Sequence, residues 1–137
     1  MRFLLDTNVV CEFRKSEAAP AVVAWASALP AEWLCISVIT ILEVETGVLR
    51  MERRDPKQGE VMRRWFEIKV LSAFEDKTLP VDTEIARQCA KLHVPNPQGE
   101  RDAFIAATAL VHGLTLVTRN TKDFASTGVK LINPWEQ

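Results

Sequence analysis

No tyrosine occurs among the 137 residues, and histidine occurs only twice. His93 and His112 each fall near the end of an expected helix, where they can favour the dipole or be solvated. Neither is paired with a candidate nucleophile, so a histidine-based catalytic site is not suggested. Cysteine is scarce too. Cys11, Cys35 and Cys89 are odd in number and lack metal-knuckle spacing. Each lies among apolar residues and reads as a small buried hydrophobe. No apolar run is long enough to span a bilayer, and the apolar stretch after Met1-Arg2 is too short for a signal peptide. A cytoplasmic protein is expected. Excess charge is missing as well: a net −1 does not advertise a nucleic-acid binder. There is no internal repeat, low-complexity tract or linker.

What is present is core. With 47% hydrophobic residues, the chain can build one domain over residues 1–137. Residues 2–6 read as a short buried strand, followed by a helix from Thr7 to about Lys15. Pro20 opens a helix that ends before Pro30. Residues 33–36 form a second strand, and Ser37 caps a long helix to about Arg54. Residues 57–75 are expected to be helical, with Val61, Met62, Trp65, Phe66 and Ile68 as the apolar face. Residues 79–81 read as a strand, and Asp82 or Thr83 caps a helix to about His93. Residues 95–99 form a loop, and a helix over about 100–112 ends at Gly113. Strands follow at 114–118 and 129–132, with a helical turn from Asn120 to Phe124 between them. Alternating short strands and helices predict a parallel sheet with helices on both faces, a three-layer α/β/α fold.

Four acids stand where acids are expensive. Asp6 ends the run Phe3-Leu4-Leu5, and Glu43 sits inside an apolar helix. Asp102 heads Ala103-Phe104-Ile105-Ala106-Ala107, and Asp123 closes the turn from Thr118. Carboxylates beside core sequence are rarely buried without a partner. At ~4 Å and an effective dielectric of ~20, each pair repels by about 4 kcal/mol. Without metal, at least one must protonate, move away or recruit a basic partner. Asp6 and the turn after 118 follow strand ends, where open α/β sheets place their crevice. Asp102 leads the stripe Ile105, Ala106, Ala109 and Leu110, so it faces the core or its rim. Capping offers a competing account for three of the acids: Asp6 and Asp102 could serve helix starts, and Asn120 with Asp123 has capping-box-like spacing. Glu43, in mid-helix, has no such account. As a set, a cation explains them best.

Arg50, Arg53, Arg54, Lys57, Arg63 and Arg64 cluster within fifteen residues, diluted by Glu52, Asp55 and Glu60. They form either a solvated face of i,i+4 pairs or a strip for phosphate.

At these residues the sequence resembles the PIN-domain family, specifically the toxins of VapBC-type toxin–antitoxin modules. The matching stretches are Leu4-Leu5-Asp6-Thr7-Asn8, then residues 36–43 ending on Glu43, then Arg101-Asp102-Ala103-Phe104-Ile105-Ala106-Ala107-Thr108-Ala109. Leu116-Val117-Thr118-Arg119-Asn120-Thr121-Lys122-Asp123-Phe124 and the terminal Ile132-Asn133-Pro134-Trp135 complete them. They occur in family order and span nearly the whole chain.

The resemblance implies a Mg²⁺- or Mn²⁺-dependent endoribonuclease, the toxin of a type II toxin–antitoxin system. Asp6, Glu43 and Asp102 match the metal-holding acids, and Asp123 the fourth acidic position, a role that Asn120 could share or take. Thr7 and Asn8 match positions beside the first acid. Ser37 also fits its motif, although capping explains it equally. Val44-Glu45 departs from the Leu that often follows the family's glutamate, and Glu45 is expected to face solvent. Carboxylates suit Mg²⁺ or Mn²⁺ rather than zinc. Arg119, with Arg50, Arg53 and Arg54, is a candidate RNA contact. The implied partners are a cognate VapB-like antitoxin, RNA, a second copy of the chain and, through the antitoxin, operator DNA. Trp25 and Trp33 suit a dimer interface or simple core. Two rivals remain: a silent RNA- or protein-binding module on the same fold, and a metal-dependent phosphatase. The phosphatase would favour an acid at position 8, where Asn8 stands.

Overall fold

The computed structural model describes all of residues 1–137. Five strands, β1 (Phe3–Leu5), β2 (Leu34–Ser37), β3 (Thr78–Leu79), β4 (Thr115–Val117) and β5 (Leu131–Ile132), form one sheet ordered β3-β2-β1-β4-β5. Every pairing is parallel. The helices are α1 (Thr7–Glu12), α2 (Pro20–Ser27), α3 (Val38–Arg54), α4 (Pro56–Trp65), α5 (Thr83–Leu92) and α6 (Glu100–His112). No helix is long and apolar enough to cross a membrane.

Alternation along the strands creates two cores. Leu5, Ile36 and Val117 point to the face packed by α1, α2, α3 and α4, with Val9, Val22, Val44 and Phe66. Leu4, Cys35 and Leu116 point the other way, against Ile105, Ala106, Ala109 and Phe124. A satellite core of Ile85, Cys89, Ala103 and Ala107 joins α5 to α6. The three-layer expectation therefore holds. Cys35 and Cys89 are buried, and burial pushes the Cys35 thiol up to about 11. Trp25 packs edge-on against Phe3 at 5.3 Å, and Trp33 lies against Phe3 and under Arg2.

Several boundaries differ from expectation. α1 stops at Glu12 because the next amides turn back three residues, Arg14 to Cys11 and Lys15 to Glu12. The Glu12 carboxylate then accepts from Ala19 N, tying α1 to the start of α2. β3 lies at Thr78–Leu79, one residue earlier than expected, leaving Pro80 outside the sheet. The segment expected as one helix over 57–75 changes to a π turn at Phe66–Leu71. Met62, Phe66, Val70 and Phe74 repeat every four residues, and an α-helix drifts ~40° at each such step. The wider π turn absorbs that drift, so Phe66 and Val70 stay buried and Phe74 reaches the same core. Val61 and Ile68, expected on the apolar face, are instead exposed.

Candidate metal centre

The sheet order reverses beside β1, which pairs with β2 on one side and β4 on the other. The crevice at this switch point is where an α/β sheet binds ligands. Asp6 closes β1 there, its backbone N–H donating to Val117 O. It is 5% exposed. One carboxylate oxygen accepts from Thr7 N at 2.8 Å, and the other accepts from the Thr118 hydroxyl at 2.7 Å and Asn8 Nδ2 at 3.2 Å. Burial outweighs these bonds and raises the Asp6 pKa. The capping role is real as well, since Asp6 heads α1.

Thr7 carries the connection to Glu43. Its hydroxyl donates to Glu43 Oε1 at 2.6 Å and lies 3.2 Å from the hydroxyl of buried Thr40. Glu43 sits in the second turn of α3, which Ser37 starts by accepting from Ile39 N. The structure thus gives Ser37 its capping role. Asp102 lies in the first turn of α6. Its carboxyl is pushed up to about 6, first by burial and then by the negative charges of Asp6, Asp123 and Glu43. The other three acids therefore lie near enough for their charges to bear on Asp102.

Asp123 is exposed, in a 3₁₀ turn over Thr121–Thr127. The capping-box expectation for Asn120 fails: its side chain makes no capping bond. Its backbone N–H instead donates to Thr118 Oγ1 at 3.1 Å. Asn8 Oδ1 accepts from Arg119 N at 3.2 Å, and Asn8 Nδ2 also reaches Thr118 Oγ1.

Two residues that the sequence did not single out belong to this centre. Thr118, fully buried, joins Asp6, Asn8 and Asn120 through one hydroxyl. Its signal was a polar residue directly after β4, beside Asp6 across the ladder. Arg101 brings Nη1 to 3.9 Å from Glu43 Oε2. It is the basic partner that a cluster of acids calls for, and it immediately precedes Asp102.

Other cations stand apart. Arg50, Arg53 and Arg54 are exposed at the far end of α3, about 10–16 Å along the helix from Glu43. Arg63 is held by Glu45, Glu52 and Glu67. Glu45, expected to face solvent, is thus fastened to α4 through Arg63 at 2.6 Å. Arg119 lies over the Trp135 ring at 5.1 Å.

No three acids form a ready-made ligand cage. The donor set nevertheless fits a hard divalent cation: all carboxylate, no thiolate or imidazole, and two members already strained by burial. Mg²⁺ keeps several waters and asks few oxygens of the protein.

The sequence profile of the PIN domain matches residues 3–130. The chain belongs to the PIN-domain family. Among curated PIN-domain relatives it is 37% identical over 138 residues to the VapC ribonuclease Y4jK of Sinorhizobium fredii, covering 97% of each chain. The crystal structure of FitAcB from Neisseria gonorrhoeae superposes with a TM-score of 0.90 at 33% identity, over 98% of this chain and 99% of that one. A toxin–antitoxin complex from Klebsiella pneumoniae matches with a TM-score of 0.67 at 28% identity, over 96% of each chain. These place the PIN domain described here among VapC-type toxins with ribonuclease relatives.

Proposed function

We propose that this protein is a divalent-metal-dependent endoribonuclease, the toxin of a toxin–antitoxin pair acting in the cytoplasm. The observation that carries the reading is Asp102, placed at a strand-end crevice where burial, and then the charges of Asp6, Asp123 and Glu43, push its carboxyl up to about 6. Asp6, Glu43 and Asp102 would hold Mg²⁺ or Mn²⁺, and Asp123, with Asn120 beside it, would serve a second ion or orient water. The cation, when bound, lowers the pKa of water and offsets charge on the phosphate.

The chain's own residues do the positioning. Thr118 and Asn8 fix the Asp6 carboxylate, and Thr7 aims Glu43. Arg101, half-exposed at the rim, is placed to leave Glu43 and take an RNA phosphate. Arg119 is a second phosphate contact. Arg50, Arg53 and Arg54 would meet only RNA extending well beyond the crevice. No side-chain nucleophile is required, in keeping with the lack of tyrosine.

The toxin–antitoxin complex from Klebsiella supports an antitoxin partner, and a FitAB complex solved on a DNA fragment supports operator DNA reached through it. A homodimer is part of the same reading.

The test is direct. The purified protein should cut RNA to 5′-phosphate and 3′-hydroxyl ends with Mg²⁺ or Mn²⁺ and stop with EDTA. Asp6→Asn and Asp102→Asn should each lower the rate by at least about 100-fold. Cleavage that survives both substitutions rejects the metal-centre account, and an intact, metal-loaded protein that binds RNA without cutting it favours the silent module.

A further inference from the structure

A groove of about 280 Å³ opens beside Asp123, and its wall has no apolar side chain. Arg119, Asn120, Lys122 and Asp123 form one side, and Asn133 and Glu136 the other. Asp123 lines the groove, and its charge also bears on Asp102.

The near wall is tied to Asp6. Asn120 N donates to Thr118 Oγ1 at 3.1 Å, and that hydroxyl donates to Asp6 Oδ2 at 2.7 Å. Arg119 N donates to Asn8 Oδ1, itself bound to Asp6 through its amide nitrogen. Groove and crevice therefore keep a fixed spacing. On the far wall, Asn133 Oδ1 is used by Trp135 N, which leaves its amide nitrogen as a donor. The Arg119 guanidinium lies over the Trp135 ring at 5.1 Å, which keeps its charge beside the groove.

The chemistry of this wall narrows the ligand. An apolar group finds nothing to pack against. A bare anion meets Asp123 and Glu136, and a bare cation meets Arg119 and Lys122. A nucleotide satisfies both signs: its phosphate suits the two cations, and its base edge suits the Asn133 amide and the Glu136 carboxylate on the far wall. Single-stranded RNA is read in this way, by splayed bases hydrogen-bonded on their edges or laid on guanidinium planes. The volume lies at the small end of ligand pockets, roughly 300 Å³, which suits one nucleotide rather than a helix.

We propose that this groove is a subsite for one nucleotide of the RNA, next to the scissile phosphate, and that it sets base preference at the cut. The proposal rests on the ribonuclease reading above. Lys122 and Glu136 are exposed and outside the acid centre, so Lys122→Ala and Glu136→Ala test it without disturbing the acids. Sequencing the 5′-phosphate ends from a randomised RNA should show a base preference beside the cut in the wild type, flattened in both variants. Affinity for a short single-stranded RNA, measured on the Asp102→Asn protein, should fall about 5- to 10-fold when Lys122→Ala is added. Lys91→Ala, in the distant groove between α5 and α6, should change neither readout. A cut profile unchanged in both variants, with an affinity unchanged by Lys122→Ala, overturns the subsite, whether or not the variants alter binding to an antitoxin. Should the wild type fail to cut RNA at all, the ribonuclease reading fails, and the affinity measurement still decides the subsite.

Discussion

At Asp102, burial and three neighbouring acids hold a proton that the unfolded chain gives up more readily. The folded protein holds that proton with a pKa of about 6, against an ordinary 3.8. Between those values the folded chain carries a proton that the unfolded chain has released. Metal-free stability must therefore fall as pH rises through this window and level off above it. Asp102→Asn removes that contribution. The difference in urea midpoint between wild type and Asp102→Asn should change across the window in favour of the variant as pH rises, and a difference that favours the wild type would contradict the geometry. Metal affinity runs the opposite way, because binding displaces the proton: it should strengthen as pH rises through about 6. Arg101 eases the same repulsion from outside, with Nη1 3.9 Å from Glu43 Oε2.

Among the elements, the α3–α4 hairpin shows how closely the acids depend on backbone packing. A Cβ at Gly59 would fall 2.4 Å from Glu52 Cα and 2.7 Å from Glu52 N, so α4 crosses α3 there in near backbone contact. Gly59→Ala gains about 1 kcal/mol of helix propensity. The clash requires the helices to separate, and overpacking of this kind costs about 1–3 kcal/mol or more. A net loss is expected, read as a lower urea midpoint with an unchanged slope; a gain in stability would show that the crossing is looser than drawn. Glu43 rides on the same helix, about two and a half turns before Glu52. The π turn after α4 belongs to this scale too. Its signal was legible in the strict four-residue spacing of Met62, Phe66, Val70 and Phe74, but that spacing also fits an ordinary helix with a broad apolar face. Only the position of the core behind it selects the wider turn.

For the molecule as a whole, the four acids come from the residue after β1, from α3, from α6 and from a 3₁₀ turn, segments whose approach is opposed by their own charges. A cation bound only by the folded state should then stabilise it. At a hundredfold excess over its dissociation constant the gain is roughly 2.7 kcal/mol, which for a domain of this size is a rise of several degrees in melting temperature. Mn²⁺ should produce that rise in the wild type and not in Asp6→Asn. An equal rise in both would place the ion elsewhere.

The order of strands and helices, the parallel sheet and the positions of Asp6, Glu43, Asp102 and Asp123 along it were settled by the sequence alone. Apolar periodicity and caps such as Ser37, Asp82 and Gly113 act within a few residues, so they are readable locally. Tertiary structure decided what depends on meeting across distance. Thr118 became the centre of a hydrogen-bond network because β4 lies beside β1. Arg101 met Glu43 because α6 packs against α3, and Arg63 left the basic strip to bind three carboxylates. Asn120 gave up its capping role for a bond that joins its turn to Asp6 through Thr118. The physical reason is the same in each case. A side chain's hydrogen-bond and ion partners are chosen by which elements pack together, and in this sheet those elements lie up to 112 residues apart in the chain.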